Sequence, residues 1–163
     1  MTSAVTVLEA TAERLDEVEP LWRSLRDYHV DVAAGVAPIR TQAESWKGRR
    51  AEYEEWLGDG SATLFLAVAE HPVGYLMLRL GAGPPTWQLG EPLATVETLS
   101  ILPEARGSGI GKALMSAARA KANACGASTL AVVLVHTNEA ARRFYESEGF
   151  EPFYLSMLAP VGR

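Results

Sequence analysis

The sequence predicts an α/β fold, a mixed β-sheet carrying helices on both faces. Three observations predict it. Apolar residues at helical spacing alternate along the chain with short apolar runs; two of those runs are separated by a tight His-Pro turn; and the C-terminal third reads strand, helix, strand, which requires a parallel crossover. The predicted order is βααβββαβαβ in one domain over residues 1–163, because 163 residues with 48% hydrophobic content suffice for one core and are too few for two.

Val5 to Glu9 reads as the first strand. Thr11 then caps a helix whose apolar positions Leu15, Val18, Leu21, Trp22, Leu25 and Tyr28 follow helical spacing, with a slight bend expected at Pro20. A second helix, Gln42 to Leu57, carries Trp46, Tyr53 and Trp56 and stops at Gly58-Asp59-Gly60. Thr63 to Glu70 and Val73 to Leu80 form antiparallel strands, and the Gly/Pro-rich segment Gly81 to Pro92 is a loop. The remainder reads as a strand Ala94 to Leu102, a helix Gly109 to Cys125, a nearly all-apolar strand Thr129 to Val135, a helix Asn138 to Glu148 and a last strand Phe153 to Leu158. There is no repeat, linker or low-complexity segment.

Fifteen basic residues against twenty acidic ones give a net charge of −5, which opposes the phosphate-driven attraction of nucleic-acid binders and mildly favours a cationic small molecule. The N-terminal stretch lacks a basic segment followed by an apolar core, and no apolar run is long enough to span a bilayer, so no membrane partner and a cytoplasmic location are expected. The lone Cys125, after an Ala-rich helical stretch, is expected to be a small buried apolar residue without chemistry. No metal is expected, since His29, His71 and His136 lie far apart with no ligand-like spacing.

The stretch from Leu99 to Met115, LSILPEARGSGIGKALM, opens a helix without an acidic residue. A helix N-terminus leaves up to four backbone N–H groups unpaired at the positive end of the dipole, so it attracts anions. Gly107, Gly109 and Gly111 permit unusual backbone angles and close approach of a ligand, while Arg106 and Lys112 add positive charge. The pattern points to a phosphate-bearing ligand; the alternative is a turn whose glycines only permit close packing of strand and helix. Two phosphate-binding patterns fail. The triphosphate loop GxxxxGK[ST] meets Arg106 where glycine is required and Ala113 where a hydroxyl is required, and the dinucleotide fingerprint meets Lys112 where it needs glycine.

Arg106-Gly107-Ser108-Gly109-Ile110-Gly111 resembles the pyrophosphate-binding signature of the GNAT superfamily of acyl-CoA-dependent N-acyltransferases. The segment TNEAARRFYESEGFEP resembles the same family's later motif, and together the two cover residues 94–154 in family order. The resemblance implies a GNAT-like sheet with splayed fourth and fifth strands. It also implies acetyl-CoA as co-substrate and transfer of an acetyl group to a primary amine by direct attack, with a tetrahedral intermediate and no acyl-enzyme. In that reading the backbone from Arg106 to Lys112 holds the pyrophosphate, Leu99 and Ile101 pair with the pantetheine arm, and the Leu99 N–H serves as oxyanion donor. Asn138 is expected to contact pantetheine while capping the following helix, with a helix cap alone as the alternative. A small-molecule or peptide amine is the expected acceptor, and a homodimer is expected because the family is often dimeric. The rival readings are another acyl donor and a catalytically silent acyl-CoA-binding regulator.

Strict strand alternation would place Thr95, Glu97, Leu99 and Ile101 on one face. Glu97 is therefore the candidate base, with Glu91 and Asp27 as substitutes and an idle strand carboxylate as the alternative. Its work matters because a lysine-like amine is neutral only about once in two thousand at pH 7. Tyr145 is the candidate acid: a phenol with pKa near 10 stays protonated at neutral pH, so its hydroxyl can hydrogen-bond the departing sulfur or supply a proton to the thiolate. Its alternative role is packing beside Phe144 and Phe150. Tyr28 and Trp87 are the candidate acceptor-site aromatics, Trp87 in a loop suited to act as a lid.

Overall fold

In the computed structural model of the chain, which describes residues 4–162, the predicted order of elements is retained up to the last helix. The strands are β1 (Thr6–Ala10), β2 (Ala62–Val68), β3 (Pro72–Gly81), β4 (Leu93–Ile101) and β5 (Leu130–Val132). The helices are α1 (Leu15–Val32), α2 (Gln42–Gly58), α3 (Ile110–Ala124) and α4 (Glu139–Ser147), with single 3-10 turns at Ala12–Arg14 and Pro103–Ala105. The sheet runs in sequence order, β1 to β4 antiparallel and β5 parallel to β4.

Each face of the sheet is closed by the helices whose apolar stripes fit it. Leu15, Val18 and Leu21 of α1 join Trp46, Tyr53 and Trp56 of α2 over Leu64, Leu66, Tyr75 and Met77. On the opposite face Ile110, Leu114, Met115, Ala118 and Ala122 of α3 pack on Phe65, Leu76, Leu78 and Val96. Burial of each large aliphatic side chain contributes roughly 1.5–3 kcal/mol. α2 starts at a reciprocal cap: the Glu44 N–H donates to Thr41 Oγ1 (3.3 Å) and the Thr41 N–H donates to Glu44 Oε2 (3.2 Å).

Two departures from regular pairing shape the middle of the sheet. β4 pairs with β5 only from Ala94 to Val96, so from Glu97 onward its far edge has no strand neighbour among the described residues and the two strands splay. On its other edge Met77 faces Thr98 while Leu78 faces Val96, which leaves Glu97 as one extra residue, a β-bulge. The bulge exchanges the faces of β4. Ala94 and Val96 point to α3, Thr98 and Ser100 bond to Tyr53 and to the Leu21 carbonyl on the α1/α2 side, and Leu99 and Ile101 return to the α3 side.

Four expectations are corrected. Glu97 does not share a face with Leu99, because the bulge intervenes. The expected last strand, Phe153 to Leu158, is not formed: those residues are exposed and have no strand partner among the described residues. The strand expected from Thr129 to Val135 is paired only over Leu130–Val132, since β4 diverges from it. Cys125 is exposed, because it follows the last residue of α3 instead of facing the core. Among the described residues no helix is long and apolar enough to cross a membrane.

Candidate active site

The splay opens a cleft whose one wall is the edge of β4 that β5 leaves without a strand neighbour among the described residues. The Leu102 N–H donates to the Val73 carbonyl (2.9 Å), so by strand alternation Ser100 also bonds toward β3, and the main-chain groups of Leu99 and Ile101 face the cleft. Below the cleft the chain turns through Pro103–Ala105 into α3. Gly107 (φ 76°) and Gly109 (φ 84°) hold left-handed angles that a side chain rarely adopts, and a Cβ at either would meet open space. Gly109 caps α3 with no side-chain bond and no acid in the first turn. None of the backbone N–H groups from Gly107 to Lys112 has a backbone partner among the described residues; the first bond of α3 runs from the Ala113 N–H to the Gly109 carbonyl (3.0 Å). This row of free donors at a positive helix end has space and charge suited to a pyrophosphate.

The three glycines divide their work. Gly111 is enclosed: a Cβ there would lie 3.1 Å from the Phe144 ring and 3.3 Å from Ile101 Cδ1, so its bareness lets α3 approach β4 and α4. Ser108 Oγ donates to the Ala105 carbonyl (2.6 Å) and steadies the turn, and Ile110 is buried in the core under α3. Lys112 is exposed at the turn. Arg106, expected among the phosphate ligands, donates from Nε to the Ile101 carbonyl (3.1 Å), and its guanidinium lies 5.1 Å from the Tyr28 ring centre.

Tyr28 comes from the C-terminal half of α1, and its hydroxyl is 3.4 Å from Asn138 Oδ1. Asn138 is buried and caps α4, accepting from the Ala141 N–H (3.1 Å). Thr137 Oγ1 donates to the Val32 carbonyl, so α1 is tied across the cleft to the start of α4. Neither tie was visible in the sequence, because both partners are more than a hundred residues apart.

Tyr145 is buried, with Phe144 and Phe150 ring centres at 5.2 and 5.3 Å, in the cluster that Leu99, Ile101, Val132 and Leu134 border from the two splayed strands. Its hydroxyl has no hydrogen bond among the described residues, and desolvation raises its pKa well above the ordinary phenol value. Core packing and an available hydroxyl thus coexist.

Across the sheet, on the α1/α2 side, Glu97 sits in a cleft of about 190 Å³ with Arg79, Gly81, Ala82, Leu93 and Thr95. Arg79 Nη1 is 3.7 Å from Glu97 Oε1, its guanidinium lies 4.3 Å from the Trp56 ring centre, and its Nε is buried without a partner among the described residues. Nothing in the sequence singles out Arg79, whose place in β3 marks only a break in an apolar run. Asp27 is engaged by Gln42 and Arg26, which hold its carboxyl below the usual range, and Glu91 lies in the loop between β3 and β4. Trp87 is half exposed in the same loop, 5.3 Å from the Phe153 ring. Among the described residues no cluster of His, Cys, Asp and Glu is suited to a metal.

The family model of the acetyltransferase (GNAT) family matches residues 21–150. Among solved structures, a tetramutant of the BH1408 protein from Bacillus halodurans is similar at TM-score 0.80 and 22% identity, covering 96% of this chain and 99% of that one. An aminoglycoside N-acetyltransferase, AAC(6')-Iy, in complex with CoA is similar at TM-score 0.77 and 18% identity, covering 100% and 98%. A ribosomal-protein-alanine N-acetyltransferase from Brucella melitensis biovar Abortus 2308 follows at TM-score 0.66 and 22% identity, covering 98% and 100%. No curated protein matches the sequence. The splayed mixed sheet, the glycine turn into α3 and the match across most of its length establish that this chain belongs to the GNAT family of acetyltransferases.

Proposed function

We propose that the protein transfers an acetyl group from acetyl-CoA to a primary amine by direct attack. The observation that carries this reading is the row of unpaired N–H groups from Gly107 to Lys112 next to the free edge of β4. One ligand with a pyrophosphate and a long amide-bearing arm satisfies both: its phosphates accept from the turn, and its amides pair with Leu99 and Ile101 as a strand would. Arg106 shares this work by fixing the Ile101 carbonyl, and Asn138 borders the arm from α4.

In the proposed reaction Glu97 takes the ammonium proton from the acceptor, directly or through water, on the α1/α2 side of β4. The amine nitrogen then attacks the thioester carbonyl carbon, and the Leu99 N–H donates to the developing oxyanion. Collapse of the tetrahedral intermediate breaks the carbon–sulfur bond; the Tyr145 hydroxyl passes its proton to the departing sulfur and is reprotonated by the second proton that the former amine nitrogen sheds as the amide forms. The bulge gives this scheme its geometry, because it turns the Glu97 carboxylate to one face while the Leu99 main chain stays on the cleft edge. Tyr28 closes the cleft from α1, and Trp87 stands on the loop beside Glu91. The acidic balance of the chain favours a cationic small acceptor over an acidic one.

Incubation with acetyl-CoA and a panel of amines, with free thiol followed over time, tests the proposal. Thiol release that depends on a particular amine is expected. Binding of CoA with no release above hydrolysis would leave a silent acyl-CoA sensor in its place.

A further inference from the structure

The cleft on the α1/α2 side of the sheet holds a charge pair that the chain itself leaves loosely matched. Among the described residues its lining carries one cation, Arg79, and one acid, Glu97. Arg79 Nη1 stands 3.7 Å from Glu97 Oε1, beyond hydrogen-bond length, and Arg79 Nε is buried with no partner among the described residues. Asp59, at the end of α2, accepts from the Ser61 N–H (2.8 Å) and shares no hydrogen bond with Arg79 among the described residues. The guanidinium is nevertheless fixed in place, because it lies 4.3 Å from the ring centre of the buried Trp56. A planar fork of donors, anchored by stacking and left unsaturated by the carboxylates of its own chain, is suited to receive a carboxylate from outside.

Position and size narrow what that carboxylate belongs to. Glu97, the proposed base, stands beside the fork, and the Leu99 N–H lies two residues further along β4, roughly 7 Å away. A ligand docked on Arg79 therefore presents its next atoms to Glu97 and the thioester. An α-amino acid fits this arrangement, since its ammonium and carboxylate, joined through one carbon, repeat the charges of Glu97 and Arg79 with signs reversed. Thr95 adds a hydroxyl, while Gly81, Ala82 and Leu93 add only small or apolar surface. At about 190 Å³ the cleft is smaller than the roughly 300–1,000 Å³ of sites for drug-sized ligands, which favours a free amino acid with a short, uncharged side chain over an oligosaccharide. The net acidity of the chain does not oppose such a ligand, because an α-amino acid of this kind has no net charge at neutral pH.

We propose that Arg79 determines acceptor specificity by pairing with the α-carboxylate of a free amino acid, whose α-amine is the group acetylated. This assignment rests on the acetyl transfer proposed above. The ammonium sheds one proton to Glu97 and a second as the amide forms, the new bond joins the α-nitrogen to the acetyl carbon, and the carbon–sulfur bond of the thioester breaks. The N-acetyl product keeps its carboxylate and loses its positive charge, so its attraction to Glu97 ends with the reaction.

The test compares kcat/KM for a panel of α-amino acids, their decarboxylated amines and their primary amides, with acetyl-CoA as donor, in the wild type, Arg79→Gln and Arg79→Lys. In the wild type at least one amino acid is expected to exceed both of its carboxylate-free counterparts by tenfold or more. Arg79→Gln, which has no charge, is expected to bring that ratio to about one, and Arg79→Lys, a charge without a fork, to a value in between. A ratio taken within one variant does not depend on how much of that variant is folded. Carboxylate-free amines that react as well as the amino acids overturn the proposal and leave acetyl transfer standing. So does a preference that survives in Arg79→Gln or, if that variant does not fold, one that is undiminished in Arg79→Lys. If no amine releases thiol, acetyl transfer fails, and ligand-detected NMR of the same panel with CoA present decides instead: amino-acid binding that weakens tenfold without the carboxylate supports the Arg79 site, and equal or absent binding overturns it.

Discussion

At Tyr145 a buried ring and an unbonded hydroxyl belong to one side chain, and desolvation keeps the phenol protonated beyond its ordinary range. Replacing it by Phe preserves the ring packing and removes only the proton donor. Tyr145→Phe is expected to lower kcat by about a hundredfold or more while leaving the heat of CoA binding nearly unchanged; an unaltered kcat would remove Tyr145 as the acid. Glu97→Gln is expected to cost most at low pH, where the acceptor is mainly ammonium and must lose a proton before attack, and least at high pH, where it is already neutral. A ratio of wild-type to variant rates that stays flat with pH would assign the base elsewhere. Tyr145, Asn138 and the glycines were legible as residues because their motif fixes their spacing. The Arg106 to Ile101 bond and the Arg79 to Glu97 pair were not, since each depends on how distant segments cross.

At the scale of elements, the bulge in β4 and the tight seat of α3 hold the site. Thr98 accepts or donates a 2.6 Å hydrogen bond with the buried Tyr53 hydroxyl, itself 3.2 Å from that of Tyr75. Thr98→Val is therefore expected to lower stability by roughly 1–3 kcal/mol, read by denaturant unfolding, because it strips a partner from a buried polar group. Gly111→Ala presses a methyl against Phe144 and Ile101 and is expected to cost about 1–3 kcal/mol in the same measurement; a neutral result would mean that α3 has room to shift. Periodicity identified the first four strands and all four helices within a few residues. It misplaced Glu97, because a bulge leaves no mark on apolar spacing, and it predicted a terminal strand that the single chain does not pair. Alternation and apolar content describe what a strand is made of, not which edge it joins.

For the molecule as a whole, Tyr53 and Tyr75 between the α1/α2 layer and the sheet, and Tyr145 under α3, all have pKa values raised by burial above the ordinary 10.0. A raised folded-state value means that the stability these phenols contribute is complete below pH about 10 and is lost as they ionise first in the unfolded chain. The Tm is expected to fall steeply above that pH, and the phenols' ultraviolet titration to coincide with unfolding. In the proposed function, peptide nitrogens from Gly107 to Lys112 receive the linked phosphates of an acyl-CoA. Titration calorimetry of the folded wild type with acetyl-CoA, beside Gly109→Asn and Gly109→Asp, tests it most directly: the two substitutions carry similar backbone strain and differ in one negative charge. Saturable heat is expected for the wild type, weaker heat for the asparagine variant and none for the aspartate variant; equal binding by both variants, or no heat from the wild type with any CoA thioester, would rule out the phosphate cradle.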